Sequence, residues 1–148
     1  MGRSNERYDS EDKVELLVRS FETATISRDA WTHAEHLVVA LYYLTHRSYD
    51  EAYVKMRSGI MKLLVNGFGV NLDAEMPYHD TISVFWLRAV AAFSGERVAV
   101  SSGEGTTELI ARYDKHLPLE YYSREVLFSD DARARFVEPD LKKFNFSE

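Results

Sequence analysis

Apolar residues recur along the chain with the spacing of helices. Val14, Leu17, Val18 and Phe21 stand at i, i+3, i+4 and i+7, one buried stripe on a helix from about Ser10 to Ala24. Ser10 caps it, and Glu11 and Asp12 suit the positive end of its dipole. Leu37 to Leu44 is apolar on nearly every side, which predicts the central helix of the core, roughly Asp29 to His46. Two starts compete there: Ser27 as a cap, or Thr32 with Glu35 as a capping box that begins the helix later.

Ser48 and Glu51 form a second capping box, and Ala52, Met56, Ile60 and Leu63 carry the stripe of a third helix. Asn66-Gly67 ends it, with Gly67 expected as a left-handed cap. After a loop over 67–76, Pro77 suits the first turn of a fourth helix reaching about Phe93, where Ser94-Gly95 stops it. Ile82, Phe85, Trp86, Ala89, Val90 and Phe93 give that helix a broad apolar face. Val98 to Val100 reads as loop, and a short fifth helix covers Thr106 to Asp114. Leu117-Pro118-Leu119 breaks it, and helical turns follow over Glu120–Val126 and Ser129–Phe136. The expected fold is all-α: a four-helix bundle-like core with a short C-terminal helical extension, in a single domain over 1–148. The polar residues 1–9 are expected to be frayed and disordered.

Composition adds exclusions. The chain has 148 residues, 45% hydrophobic and 28% charged, enough for one domain with a real core. Its 18 basic against 24 acidic residues give a net charge of −6, which disfavours nucleic acid as a partner. No apolar run is long enough to span a membrane, and no signal segment opens the chain. With no cysteine there is no disulfide, thiolate metal site or thiol nucleophile. The expected setting is cytoplasmic. No nucleotide-binding or serine-hydrolase signature occurs: Gly67-Phe68-Gly69 and Gly103-Glu104-Gly105 lack the necessary context.

Candidate chemistry gathers in two segments. In Trp31-Thr32-His33-Ala34-Glu35-His36-Leu37, His33 and His36 stand three apart and share one helix face, within reach of one metal ion or one substrate. Two solvated first-turn histidines are the plainer reading, and Glu35 has a structural role as the capping partner of Thr32. In Met76-Pro77-Tyr78-His79-Asp80-Thr81, His79 falls at the start of the fourth helix and on the rim of the core. A helix-terminus histidine bonded to a nearby carbonyl explains it as well as a site does. A helix N-terminus lowers an imidazole pKa and favours the neutral form that binds metals. In an up-down bundle the second and fourth helices start at the same end, which permits His33, His36 and His79 to converge. Three histidine ligands would leave an open position on zinc or iron, with Tyr78 and Glu35 as the catalytic acid/base candidates.

The W-T-H-A-E-H-L segment, Y-H-D-T and the ending from Leu119 to Leu141 resemble a family of small uncharacterised bacterial proteins. That family carries aromatic-x-H-x-x-H-L and Y-H-E-T segments. The resemblance spans most of residues 30–141 and implies a shared site at His33, His36, Tyr78, His79 and Thr81. Asp80 departs from the family's Glu. The resemblance implies no reaction.

Two function classes follow. The first is a small helical protein with a histidine-lined pocket, a candidate metal-dependent enzyme acting on a small molecule. The second is a non-catalytic helical interaction or ligand-binding module, for which Trp31, Tyr42, Tyr43, Tyr49 and Tyr53 would supply an exposed patch. A homodimer fits either class. Tyr122 and Arg124 are a further candidate pair for an anionic group, against a plainer role in packing.

Overall fold

The computed structural model describes residues 8–74, 77–96 and 102–146, with the side chains at 95, 96 and 102–105 left aside. Helices account for the regular structure, and the described residues contain no strand. In order they are α1 (Glu11–Glu22), α2 (His33–His46), α3 (Tyr49–Lys62), α4 (Asp80–Glu96), α5 (Ser102–Arg112), α6 (Pro118–Tyr121), α7 (Arg124–Leu127) and α8 (Asp130–Ala134). The all-α expectation holds. None of these helices is long and apolar enough to cross a membrane.

α2 is the centre, packing against α1, α3, α4 and α5. Its residues Leu37 to Leu41 and Tyr43 are buried, as a helix apolar on all sides requires. It begins at His33 behind the Thr32–Glu35 capping box, not at Asp29. Trp31 precedes the cap and stacks on Phe21 at 4.9 Å, with His36 at 6.1 Å. This is the hydrophobic-staple placement that sets how the chain enters a helix. Gly59 on α3 lets α1 come close: a Cβ there would stand 2.3 Å from the Phe21 ring. Burying an intact Phe21 thus depends on a missing methyl group one helix away.

Several boundaries differ from expectation. α3 runs into a π-helical turn over Leu63–Gly67, and the left-handed glycine is Gly69 (φ 71°), two residues after Gly67. Pro77 lies before α4, which starts at Asp80 because His79 supplies the cap: the Ile82 N–H donates to its Nδ1 at 3.2 Å. Ser94-Gly95 does not stop α4, which continues to Glu96. One glycine costs a helix only about 1 kcal/mol, too little to end a well-packed one. Gly103 to Gly105 are helical within α5. Val98 to Val100 lie outside the described residues, as do 1–7. Tyr8, expected in the frayed segment, is anchored: its hydroxyl donates to Glu35 at 2.5 Å, and its carbonyl accepts from Thr106.

The C-terminal segment is a strap over α4. Thr81 Oγ1 donates to the Arg135 carbonyl at 2.9 Å and accepts from the Val137 N–H at 3.1 Å. Tyr122 donates to the Val137 carbonyl at 2.6 Å. Phe144 and Phe146 close on Phe85 at 5.6 and 5.1 Å, edge to face. This favours the packing role for the segment. Tyr122 is fully buried with its hydroxyl engaged, and Arg124 stands exposed in solvent, so the two form no anion site.

Candidate functional site

The Y-H-D-T segment works residue by residue as a joint between α4 and its neighbours. His79 is 8% exposed, and both of its ring nitrogens are committed. Nδ1 accepts from Ile82, so Nε2 carries the proton and donates to the Leu127 carbonyl at 2.6 Å. Burial lowers its pKa below the ordinary histidine value, and the nearby Arg133 adds to this. A neutral imidazole with both nitrogens in hydrogen bonds has no lone pair left for a metal.

His33 begins α2. Its Nε2 lies 3.1 Å from the Tyr113 carbonyl and its ring 4.6 Å from that of Trp86. Desolvation lowers its pKa. Trp86 is seven residues beyond His79, about 10 Å along a helix rising 1.5 Å per residue. The structure therefore sets His33 beside the middle of α4 and His79 at its start. His36 is close to His33, and its ring makes no hydrogen bond to any described residue. Surrounding protein lowers its pKa to about 4, and His33 contributes. The two histidines are held neutral as expected, but burial is the first cause, not the helix dipole. Among the described residues no group of three or more histidine or carboxylate side chains is placed to hold a metal ion.

Glu35 is 0% exposed and its two oxygens have separate duties. Oε1 accepts from the backbone N–H of Thr32 at 3.0 Å and from the Thr32 hydroxyl; Oε2 accepts from Tyr8. The arrangement ties the N-terminal segment to α2. This is the structural role of Glu35, with a third chain segment added.

Tyr78 leads to a constellation centred on Asp80, two residues on. Asp80 is 5% exposed, and its Oδ1 accepts from Tyr53 and Tyr78, each at 2.8 Å, and from Arg57 at 3.4 Å. Three donors from α3 and the segment before α4 thus converge on one oxygen. Oδ2 receives no hydrogen bond from any described residue. An ionised carboxylate accepts on both oxygens, and buried acceptors are nearly always satisfied. Burial raises the pKa of both phenols, and the Asp80 charge raises them further, so they stay protonated as donors. Arg57 also lies over the Tyr78 ring, 5.2 Å from its centre.

Asp80 forms part of the wall of an open groove of about 360 Å³ between α3 and α4, closed at one side by the start of the strap. Tyr49, Asp50, Tyr53 and Val54 come from α3, Val84 and Arg88 from α4, and Phe136 from the strap. Asp80, Val84 and Arg88 are spaced i, i+4 and i+8, so they line one face of α4. That spacing was readable in the sequence, but nothing local marked it as facing a groove rather than the core. The Tyr patch expected near α2 and α3 is divided. Tyr43 is 1% exposed and Trp31 is covered by Phe21, while Tyr49 and Tyr53 belong to the groove.

By fold and site this is an all-α protein with a largely apolar groove beside a buried carboxylate. No family model, curated protein or solved structure matches the chain.

Proposed function

We propose that the protein is a ligand-binding module that takes a small polar molecule in the α3–α4 groove, with Asp80 as its principal acceptor. The observation that carries this reading is the split use of the Asp80 carboxylate. One oxygen is fixed by two tyrosine hydroxyls and an arginine, the other receives no hydrogen bond from a described residue, and Asp80 lines the groove. Fixing one oxygen orients the second, which is how a site is prepared before its ligand arrives. The apolar lining from Val54, Val84 and Phe136 supplies area, and the few polar groups supply orientation.

The histidine-centred metal reading has less behind it. His79 spends both nitrogens on protein partners, and Trp86 rather than His79 stands against His33. Tyr78 and Glu35 accordingly serve as a donor to Asp80 and as a structural tie.

The test is a thermal-shift screen of small polar compounds against the protein and a Val54→Trp variant. Val54 is 59% exposed, so the larger side chain fills the groove without entering the core. A ligand at a hundred times its Kd stabilises the folded state by about 2.7 kcal/mol, a rise of several degrees. The expected result is stabilisation that Val54→Trp abolishes. Hits that stabilise both proteins equally would overturn the reading.

A further inference from the structure

The wall that Phe136 contributes to the groove belongs to the least embedded part of the structure. Residues 135–146 form no helix, and none of them is buried. Segments of that kind stand at the low end of local stability and open without the rest of the fold. A short series of tethers holds this one. Thr81, fully buried and next to Asp80, brackets Phe136: its hydroxyl donates to the Arg135 carbonyl and accepts from the Val137 N–H. Further along, the Leu141 N–H donates to the Tyr121 carbonyl at 2.9 Å. Phe144 then rests on Phe85 and Tyr121, with ring centres 5.6 and 5.5 Å away. The strap also reaches into the groove lining. The Arg88 guanidinium lies 4.4 Å from the centre of the Phe136 ring and 5.6 Å from that of Phe144, so two strap rings hold one groove-lining side chain in place.

We propose that the strap is a movable wall of the groove, which swings off α4 as one unit and whose docking is linked to what the groove holds. Release takes Phe136 out of the lining and strips Arg88 of both rings, so one wall leaves and a second side chain loses its support. An occupant seated against Phe136 or the stacked Arg88 meets those surfaces in the docked form alone. It therefore favours docking, and by linkage docking strengthens its binding by the same factor. Thr81 is the positioning residue. It is not part of the lining and acts by fixing the residues on either side of Phe136. The link to a ligand rests on the groove being a ligand site; the motion of the strap does not.

The test is amide hydrogen exchange of the full chain by NMR, read at Val137 and Leu141, which are bonded to Thr81 and Tyr121. The expected result is that both amides open together, with protection at least tenfold below that of Leu41 in the core of α2. Thr81→Val should speed both at least tenfold, Leu141 included although its own bond is untouched, and Thr81→Ser should restore both. Val54→Trp supplies a built-in occupant, its indole, and should slow both at least threefold while leaving Leu41 unchanged. Phe144→Ala, outside the groove lining, should speed both and move the Arg88 side-chain protons off their ring-current shift. Should Thr81→Val loosen the whole fold, Val54→Trp decides, because it alters an exposed position. Strap amides that open only together with Leu41, or that exchange at the same rate with the indole in the groove, would overturn the proposal. These readings use no ligand. A compound that stabilises in a Val54-dependent way beside an indifferent strap overturns the movable wall and keeps the ligand site. A screen without such a compound, beside a responsive strap, overturns the ligand site and keeps the wall.

Discussion

Glu35 and Asp80 occupy corresponding places. Each is an acid in the first turn of a helix, buried, and hydrogen-bonded by a tyrosine from elsewhere in the chain. They differ in what becomes of the second oxygen. Glu35 spends one oxygen on Thr32 and the other on Tyr8, and the Tyr8 carbonyl is itself held by Thr106. Asp80 gathers Tyr53, Tyr78 and Arg57 on Oδ1, has no donor to Oδ2 among the described residues, and lines a groove. The chemistry of the two groups is nearly the same. Closure makes one a structural tie, and a half-satisfied carboxylate beside open space makes the other a candidate site.

The comparison breaks most visibly at Glu35. Glu35→Ala leaves the Tyr8 and Thr32 donors without their buried acceptor, and we expect a loss of about 3 kcal/mol or more in urea denaturation. A loss under about 1 kcal/mol would mean that the network is slack.

Acid offers the next test, one residue further along α2. The folded-state pKa of His36 is lowered to about 4 from an ordinary value near 6.5. The unfolded chain therefore binds the proton first, and the stability due to neutral His36 is complete above about pH 6.5 and is lost as the pH falls toward 4. At about 1.4 kcal/mol per pKa unit, discounted for the part of the ring open to solvent, His36 accounts for on the order of 2 kcal/mol. His33 and His79, also lowered by burial, act in the same direction. His36→Gln should flatten the acid limb of stability between pH 6.5 and 4.5, and an unchanged limb would place the titration elsewhere.

At Asp80 the expected loss is smaller. Asp80→Asn keeps an acceptor for Tyr53 and Tyr78, so stability should fall by about 1 kcal/mol, well short of Glu35→Ala. Equal losses would erase the distinction between the tie and the site. Arg57→Gln should change least, under about 1 kcal/mol, because the Arg57 side chain is 44% exposed and its contact is long.

The sequence made the helices legible and the site only partly so. Caps and stripes are local: Ser10 with its acids, the Thr32–Glu35 box and the Ser48–Glu51 box all sit where their spacing places them. α4 was misplaced at its start because a histidine side chain accepts the Ile82 N–H, a task usually left to Ser, Thr, Asp or Asn. The Y-H-D-T residues stood out, but their partners were beyond local reading. Leu127, Arg135 and Val137 arrive from the strap, and Tyr53 arrives from α3, 27 residues away. A pattern within one helix cannot reveal which oxygen of a carboxylate a distant tyrosine will take. For the same reason, the i, i+3 spacing of His33 and His36 showed a shared face without showing that His79 would be kept for Leu127.

The most direct measurement is a crystal structure of the protein with a screened ligand, read together with amide chemical-shift mapping in solution. The account predicts a donor group of the ligand within hydrogen-bond distance of Asp80 Oδ2, with Oδ1 still held by Tyr53 and Tyr78. Shifts should concentrate at Tyr53, Val54, Asp80 and Val84. A ligand seated elsewhere, with Oδ2 found paired to the protein itself, would contradict it.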